Sequence, residues 1–485
     1  MTPHAQVALA RRTMTPTGLS IFGAAASAPM VVLAGGLVTT YATTRVTALP
    51  LTFILVAAVV ALLMVGYTAL ARQIGHPAAY YGILAHNLSR SWGVAAGLVA
   101  LVAYTAIQTS LYGLFGATLA AQLGGTWWVW AGIAWTVVGA LGVRAIVLST
   151  WVLGGVLAVS LLIVGLFVVA GLSSPADGTV SWEGFDAAGL AVGGIGGAVA
   201  LCVAAFMGVD APGSFVEEAV DRRSVGRATI TAVLTLGGVY AGAAWAMGVA
   251  VGPQSVATRA ADPSSGLPFT ILEAAGGMWV GIGGLVLVLA IVTSMLAFHN
   301  VIARYVFAMA REGVLPTGLA HTGSTTRVNA PRGGSLTQTG TAALVVAAFA
   351  VAGVDPVAVM FTWLSTLGAL GLLCLLLAAS IAALAAPPAV RGQRAGIWQW
   401  RVAPVLGVLG GSVVLVAMVG NVGSLLGAVP GSPYPLLLPA ILTATATAGG
   451  MWAGHLRRTR PDVYAGIGHG TPKTHAVPDA LHISI

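Results

Sequence analysis

Apolar residues in this chain neither alternate nor form one-sided stripes. They run in solid blocks of roughly 20, the length a helix needs to cross the hydrocarbon core of a bilayer. Short polar stretches holding most of the charges separate them. The blocks fall at about 17–40, 48–71, 92–122, 126–143, 147–171, 189–211, 228–251, 276–310, 335–353, 356–385, 403–427 and 433–455. This pattern predicts an all-α polytopic protein of about twelve spans, with the seam at Arg144 the hardest to place. Two blocks are interrupted in matching ways. The first reads Ile21-Phe22-Gly23, a small-residue run from Ala24 to Ala28, then Pro29; the sixth reads Phe206-Met207-Gly208-Val209-Asp210-Ala211-Pro212. Gly and Pro weaken a helix there and free backbone N–H and C=O groups, which hydrocarbon tolerates only where they line a protein cavity or bind something. Interrupted spans at corresponding positions of two halves point to the binding site of a secondary transporter.

Composition agrees with a membrane protein: 58% of the 485 residues are hydrophobic and only 7% charged, against about a quarter charged in soluble proteins. The net charge of +8 suggests nucleic acid as a partner until the charges are placed. With the N-terminus inside, every Lys and Arg except Arg45 and Arg259 falls in an inner loop or tail. That bias predicts an even number of spans, both termini cytoplasmic, and residence in the cytoplasmic membrane, with the lipid bilayer and no nucleic acid as partner. Arg11-Arg12 before an apolar run ending Ala26-Ser27-Ala28 resembles a cleavable signal, but only about five residues, Leu19 to Gly23, precede the small-residue run, shorter than the usual apolar region. Cys202 and Cys374 both lie within spans, so no structural disulfide is expected. Trp127, Trp128 and Trp130, and Trp398 and Trp400, read as interfacial anchors.

The domain plan is a cytoplasmic segment 1–16, a first five-helix repeat 17–171, a second, inverted repeat 189–385, two accessory helices 403–455, and a disordered cytoplasmic tail 456–485. The tail is polar and rich in Gly, Pro and His; no metal site is expected there or elsewhere, and no cofactor. Gly193-Gly194-Ile195-Gly196-Gly197 sits at membrane depth with no strand before it, so it reads as a close helix approach and not a nucleotide loop.

Few ionisable groups fall at membrane depth. Asp210, just past the sixth-span interruption, is the clearest, and a carboxyl group there is expensive unless protonated, paired or wetted. It reads either as a proton-coupling residue or as a cap on the half-helix that follows. Tyr104, Gln108 and Tyr112 recur at i, i+4 and i+8 and share one helical face, which lines a substrate path or packs between helices. Thr293, Asn300 and Arg304 share a face of the eighth span, with Ser294 beside them; His299 points elsewhere and reads as a packed, neutral histidine. Arg304 reads as snorkelling or as an inner-gate contact. The segment Phe215 to Arg227, with Glu217, Glu218, Asp221, Arg222, Arg223 and Arg227, is either a gate of exchangeable ion pairs or a solvated helix end.

These residues resemble the amino acid–polyamine–organocation (APC) superfamily, with the leucine-transporter fold, over about 18–390. Phe206-Met207-Gly208-Val209-Asp210 with Glu217-Glu218-Ala219-Val220-Asp221-Arg222-Arg223 is similar to the family's sixth-span signature, with Arg222 where Pro is usual. Ala297-Phe298-His299-Asn300 through Arg304 to Pro316 is similar to its eighth-span ending and is the most specific match; Pro77-Ala78-Ala79-Tyr80-Tyr81 is similar to the segment between spans two and three. The resemblance implies two inverted five-span repeats with two more helices, discontinuous first and sixth spans, and a site between them and spans three, eight and ten. It implies that the substrate carboxylate meets N–H groups of the first interruption, Gly23-Ala24-Ala25-Ala26-Ser27, which departs from the usual Gly-Ser-Gly-like triplet. The substrate ammonium would meet carbonyls of the sixth. Phe206, Gly208, Tyr104, Gln108, Phe298 and Trp363 complete the expected binding set, and small Ala204 and Ala205 leave room for a larger side chain. Thr293-Ser294 is similar to the hydroxyl pair that sodium-coupled relatives use. No span holds the Lys that some proton-coupled relatives carry.

The expectation is therefore a permease, not an enzyme, that moves an amino acid or related amine by alternating access. Its small-molecule substrate travels with H+ or, as the alternative, Na+, or by exchange. The rival from another class is a transporter-like receptor that binds its ligand without cycling.

Overall fold

A computed structural model describes residues 15–143, 150–216, 219–220, 222–321, 323–325, 328–387, 396–427 and 433–470. The expectations at Arg144, Glu217, Glu218 and Asp221, and those on the chain from 471 onward, lie outside the described residues. Ten helices among them are long and apolar enough to cross a membrane. Two shorter apolar helices, Trp127–Val143 and Ile195–Ala205, stand where the fourth and sixth blocks were expected.

The first span opens with α1 (Pro16–Ser27), where the Thr15 hydroxyl accepts the Gly18 N–H at 3.1 Å and caps the helix. Ala28 then turns left-handed at φ 46°. Beyond it come α2 (Pro29–Val31), a π-helical turn over Val32–Leu37 and α3 (Val38–Thr44). The break is narrower than the small-residue run suggested, because Gly23 through Ser27 remain helical. Alanines favour the helix, whereas Pro29 disfavours helical geometry for the residue before it and brings no N–H of its own. The break therefore falls on Ala28.

The chain continues through α4 (Leu49–Ile74), α5 (Ala79–Asn87), α6 (Arg90–Leu123), α7 (Trp127–Val143) and α8 (Thr150–Ser173). The sixth span starts as α9 (Ile195–Ala205), loses helical geometry over 206–210 and resumes as a 3-10 turn, Ala211–Phe215. Then follow α10 (Arg222–Val251), the short α11 (Val256–Ala261) and α12 (Phe269–Leu272), and the long α13 (Gly277–Arg311). A small antiparallel hairpin, β1 (Gly323–Thr325) with β2 (Val328–Ala330), pairs Ser324 with Asn329. After it come α14 (Arg332–Val351) and α15 (Thr362–Ala385), the latter entered through a π-helical turn, Pro356–Phe361. The last helices are α16 (Ala403–Leu425), α17 (Tyr434–Thr459) and α18 (Pro461–Gly466).

The packing repeats itself when the first five spans are exchanged with the second five. α1 packs on α10 and α8, while its counterpart α9 packs on α4 and α15. α6 touches α7 as α13 touches α14, and α6 and α13 touch each other. α8 packs on α10 as α15 packs on α4. That exchange is what two inverted repeats require, and it brings the two interrupted spans together at the centre. α16 and α17 lie outside this core, α17 against α6, where Gly449 faces Ala95 so closely that a Cβ would lie 2.7 Å from its Cα. Large apolar side chains point outward, Trp151 at 90% exposure and Leu344 at 75%. Such a surface is a liability in water and is covered by lipid in a membrane.

One expectation is corrected here. Residues 456–470 are not a disordered tail: α17 continues to Thr459, α18 follows, and Ile467 is buried.

Candidate functional site

The two interruptions touch. Gly208 adopts φ +98°, and a Cβ there would lie 2.8 Å from the Cβ of Ala26, so only glycine permits this approach. Ser27 Oγ donates to the Met207 carbonyl at 3.0 Å and back to the Gly23 carbonyl at 3.2 Å. Tyr240 OH donates to the Ser27 carbonyl at 3.4 Å, and Ser294 Oγ donates to the Ala26 carbonyl at 2.6 Å. Backbone groups released by the breaks are thus tied across the site by hydroxyls from spans seven and eight.

A cavity of about 60 Å³ opens at this junction, room for several waters at about 10–15 Å³ each. The first span supplies Ala26, Ser27, Ala28, Val31, Val32 and Gly36. Ile107, Ser110 and Leu111 come from α6; Leu201, Ala204, Ala205 and Met207 from the sixth span; Ser294 and Phe298 from α13; Phe361 and Ser365 from the tenth. No charged side chain lines it. Ser365 Oγ donates to Ser110 Oγ at 3.1 Å, so two of its four serines face each other.

Of the expected binding set, the cavity takes Ala26, Ser27 and Phe298, with Ser294 from the expected cation pair. The others sit elsewhere. Gly23 faces Pro212, where a Cβ would lie 3.0 Å from Cγ, and Ala24 and Ala25 stay within α1. Phe206 packs with Phe53 and Tyr240, at ring distances of 6.4 and 5.6 Å. Trp363 turns to Tyr434 at 6.2 Å. Thr293 spends its hydroxyl on the Ala290 carbonyl of its own helix at 2.9 Å, so only Ser294 of the pair reaches the first span.

Asp210 is fully buried and does not line the cavity. Its Oδ2 accepts hydroxyl hydrogen bonds from Tyr104 and, at 3.1 Å, from Tyr80, while Tyr67 OH donates to its backbone carbonyl at 3.2 Å. Oδ1 has no hydrogen-bond partner among the described residues. The side chain does not cap the turn that follows, which removes the capping alternative. Tyr104 belongs to this cluster and not to the cavity wall. Tyr80 and Tyr67 carried no sequence signal of their own, because the hydrogen-bonding partner lies 130 residues away from the one and 143 from the other. The nearest hint was the Pro77–Tyr81 segment.

Gln108 and Tyr112 are buried away from the cavity. Gln108 Nε2 donates to Tyr112 OH at 3.3 Å and meets His299 Nδ1 at 3.3 Å, and Gln338 Nε2 donates to Gln108 Oε1 at 2.6 Å. His299 Nε2 meets Ser335 Oγ at 2.8 Å. This satisfied network joins α6, α13 and α14, an arrangement of the kind that packs helices against one another.

Toward Pro16 the cavity is closed. Phe22 and Phe215 meet edge to face at 4.5 Å, and the Arg304 guanidinium lies 4.0 Å above the Phe215 ring. Arg304 NH1 also donates to the Asn300 carbonyl at 3.2 Å. The cavity itself extends the other way, past Ala28 toward Gly36.

A family profile described as "Amino acid permease" matches residues 17–444. No curated protein matches the sequence significantly. Among solved structures, a mutant of the Eremococcus coleocola manganese transporter is 16% identical with a TM-score of 0.56, over 92% of this chain and 95% of that one. The same transporter in complex with an aromatic bis-isothiourea substituted compound gives 15% identity and a TM-score of 0.55, over 96% and 99% of the two chains. Likeness at this identity shows the shared transporter fold.

Proposed function

The chain belongs to the amino acid permease family of the APC superfamily, and we propose on that footing that it carries a zwitterionic amino acid with an uncharged side chain by alternating access. The observation that carries this reading is the cavity at the junction of the two breaks. The half-span beginning at Pro29 would offer its N-terminal end to a carboxylate, and α9, ending at Ala205, the negative end of its dipole to an ammonium. Ala28, Ala204 and Ala205 all line the cavity between those ends. The rest of the wall is mostly apolar, with Val31, Val32, Ile107, Leu111, Leu201 and Phe361 prominent, and its only polar side chains are the hydroxyls of Ser27, Ser110, Ser294 and Ser365. A second ammonium or a guanidinium placed there finds no counter-charge, at a cost of several kcal/mol. That argues against basic amino acids and polyamines. The manganese chemistry named for the structural relative gains no support, since no cluster of three metal-ligating side chains exists among the described residues.

Proton coupling is assigned to Asp210, supported by its burial and its unpartnered Oδ1. Sodium coupling has weaker support, because Thr293 is turned to its own helix. The arginine distribution supports a cytoplasmic-membrane protein with both termini inside. The test is uptake into proteoliposomes of valine, leucine, lysine and putrescine, with a pH gradient or a sodium gradient imposed. Uptake of the neutral amino acids driven by the proton gradient is expected. Uptake of lysine or putrescine alone refutes the substrate assignment, and a sodium requirement refutes the coupling assignment.

A further inference from the structure

Glu312, immediately after α13, receives its hydrogen bonds from the last described stretch of the chain. The backbone N–H of Gly468 donates to Oε2 at 2.8 Å and that of Gly470 to Oε1 at 2.8 Å. His76 Nε2 lies 2.9 Å from Oε1, and Tyr81 OH donates to Oε2. Gly468 and Gly470 adopt φ +80° and +70°, which turns their N–H groups toward one carboxylate as a backbone nest. Further contacts hold the same stretch. Arg460 donates to the Gly313 carbonyl, the Arg90 guanidinium lies 5.4 Å from the Tyr464 ring, and His469 meets His86 at 5.1 Å between rings.

The docked stretch is one residue away from the coupling cluster. Tyr81 touches Glu312; its neighbour Tyr80 donates its hydroxyl to Asp210 and its backbone N–H to the hydroxyl oxygen of Tyr305 at 3.1 Å. Both tyrosines sit on α5, a helix of nine residues, too short to move one without the other. We propose that residues 461–470 form a latch that holds the arginine-rich end of the bundle closed, and that its release loosens the sixth-span break through Tyr81 and Tyr80. The inference rests on reading the two breaks as the moving parts of a carrier. It adds a control element, contributed by the chain's own C-terminal stretch, at the face opposite the cavity opening.

Hydrogen exchange on the full chain in lipid nanodiscs tests it without any substrate. Gly468→Val places a Cβ 2.6 Å from that of Ala85 at a positive φ and should undock the stretch; truncation after Arg460 removes it and stands in where the first variant fails to fold. Gly466→Ala, where added bulk meets nothing, serves as the control. Release is expected to cut amide protection about tenfold over both 79–87 and 206–215, the loss of one or two charge-assisted hydrogen bonds, with no change in the control. Tyr81→Phe keeps both glycine N–H groups on Glu312 and should loosen 206–215 with 461–470 still protected. If undocking exposes 79–87 and leaves 206–215 unchanged, the latch is a local clasp and the proposal fails. Uptake measured in parallel separates that failure from failure of the carrier reading, which exchange does not probe.

Discussion

Two hydroxyls on one oxygen and none on the other make Asp210 the most consequential single side chain in the molecule. An amide keeps an acceptor for Tyr104 and Tyr80 but cannot take up a proton. Asp210→Asn is therefore expected to fold, to bind substrate, and to lose the pH dependence of uptake; an unchanged pH profile in proteoliposomes would refute its coupling role. Gly208 tests a different link, from backbone to packing. Gly208→Ala adds a methyl group 2.8 Å from Ala26 at φ +98°, and strain with overpacking costs about 1–3 kcal/mol. A lowered thermal midpoint with weakened substrate binding is expected. Asp210 was legible in the sequence because a carboxylate at membrane depth is rare. Its partners Tyr80 and Tyr67 were not, because aromatic residues in apolar helices are common and no spacing within a helix reports a partner more than a hundred residues away.

At the scale of the element, the interruptions themselves were readable and their extents were not. A run of small residues from Ala24 to Ala28 is compatible with both helix and break, so the binding role expected of Gly23 through Ser27 spread over too many positions. Proline decides the matter through the residue before it. The same logic predicts the effect of removing it. Pro29→Ala lifts the restriction on Ala28 and restores an N–H, so the span from Pro16 to Thr44 is expected to become continuous helix. The half-helix end at the cavity would vanish with it. Ligand-induced thermal stabilisation should then be lost while the protein still folds; full retention of that stabilisation would show that the break does not depend on the proline. Gln108 carries the complementary lesson. Its face with Tyr104 and Tyr112 was correctly read as polar and buried, but a polar stripe can be satisfied by a neighbouring helix, and Gln338 with His299 does so here.

Across the whole molecule, the arrangement joins two opposed ends. The cavity extends past Ala28 toward Gly36, and the opposite end is closed by Phe22 on Phe215, by the tyrosines on Asp210 and by the docked stretch on Glu312. A composition rich in Gly and His reads as disorder because composition counts side chains, whereas Gly468 and Gly470 act through their backbone N–H groups. The electrostatics of that contact fix its pH range. Burial raises the Glu312 pKa, but the hydrogen bond and charge of His76, with the donors Tyr81 and Gly468, outweigh burial and leave it below the ordinary 4.5. A depressed carboxylate stabilises the docked state fully above its unfolded value, and that contribution is lost as pH falls through the folded one. The groups facing it are His76 and Tyr81, with His86, His469, Arg90 and Arg460 around the docked stretch. Protection of 461–470 against hydrogen exchange is therefore expected to be lost as the pH falls below the ordinary glutamate range. Glu312→Gln should lose it throughout, whereas His76→Gln removes one partner of the carboxylate and leaves both glycine N–H groups on it. Protection that survives in Glu312→Gln would mean that Arg90, Arg460 and the ring contacts hold the stretch without the carboxylate, and the latch would then have to be sought in those residues.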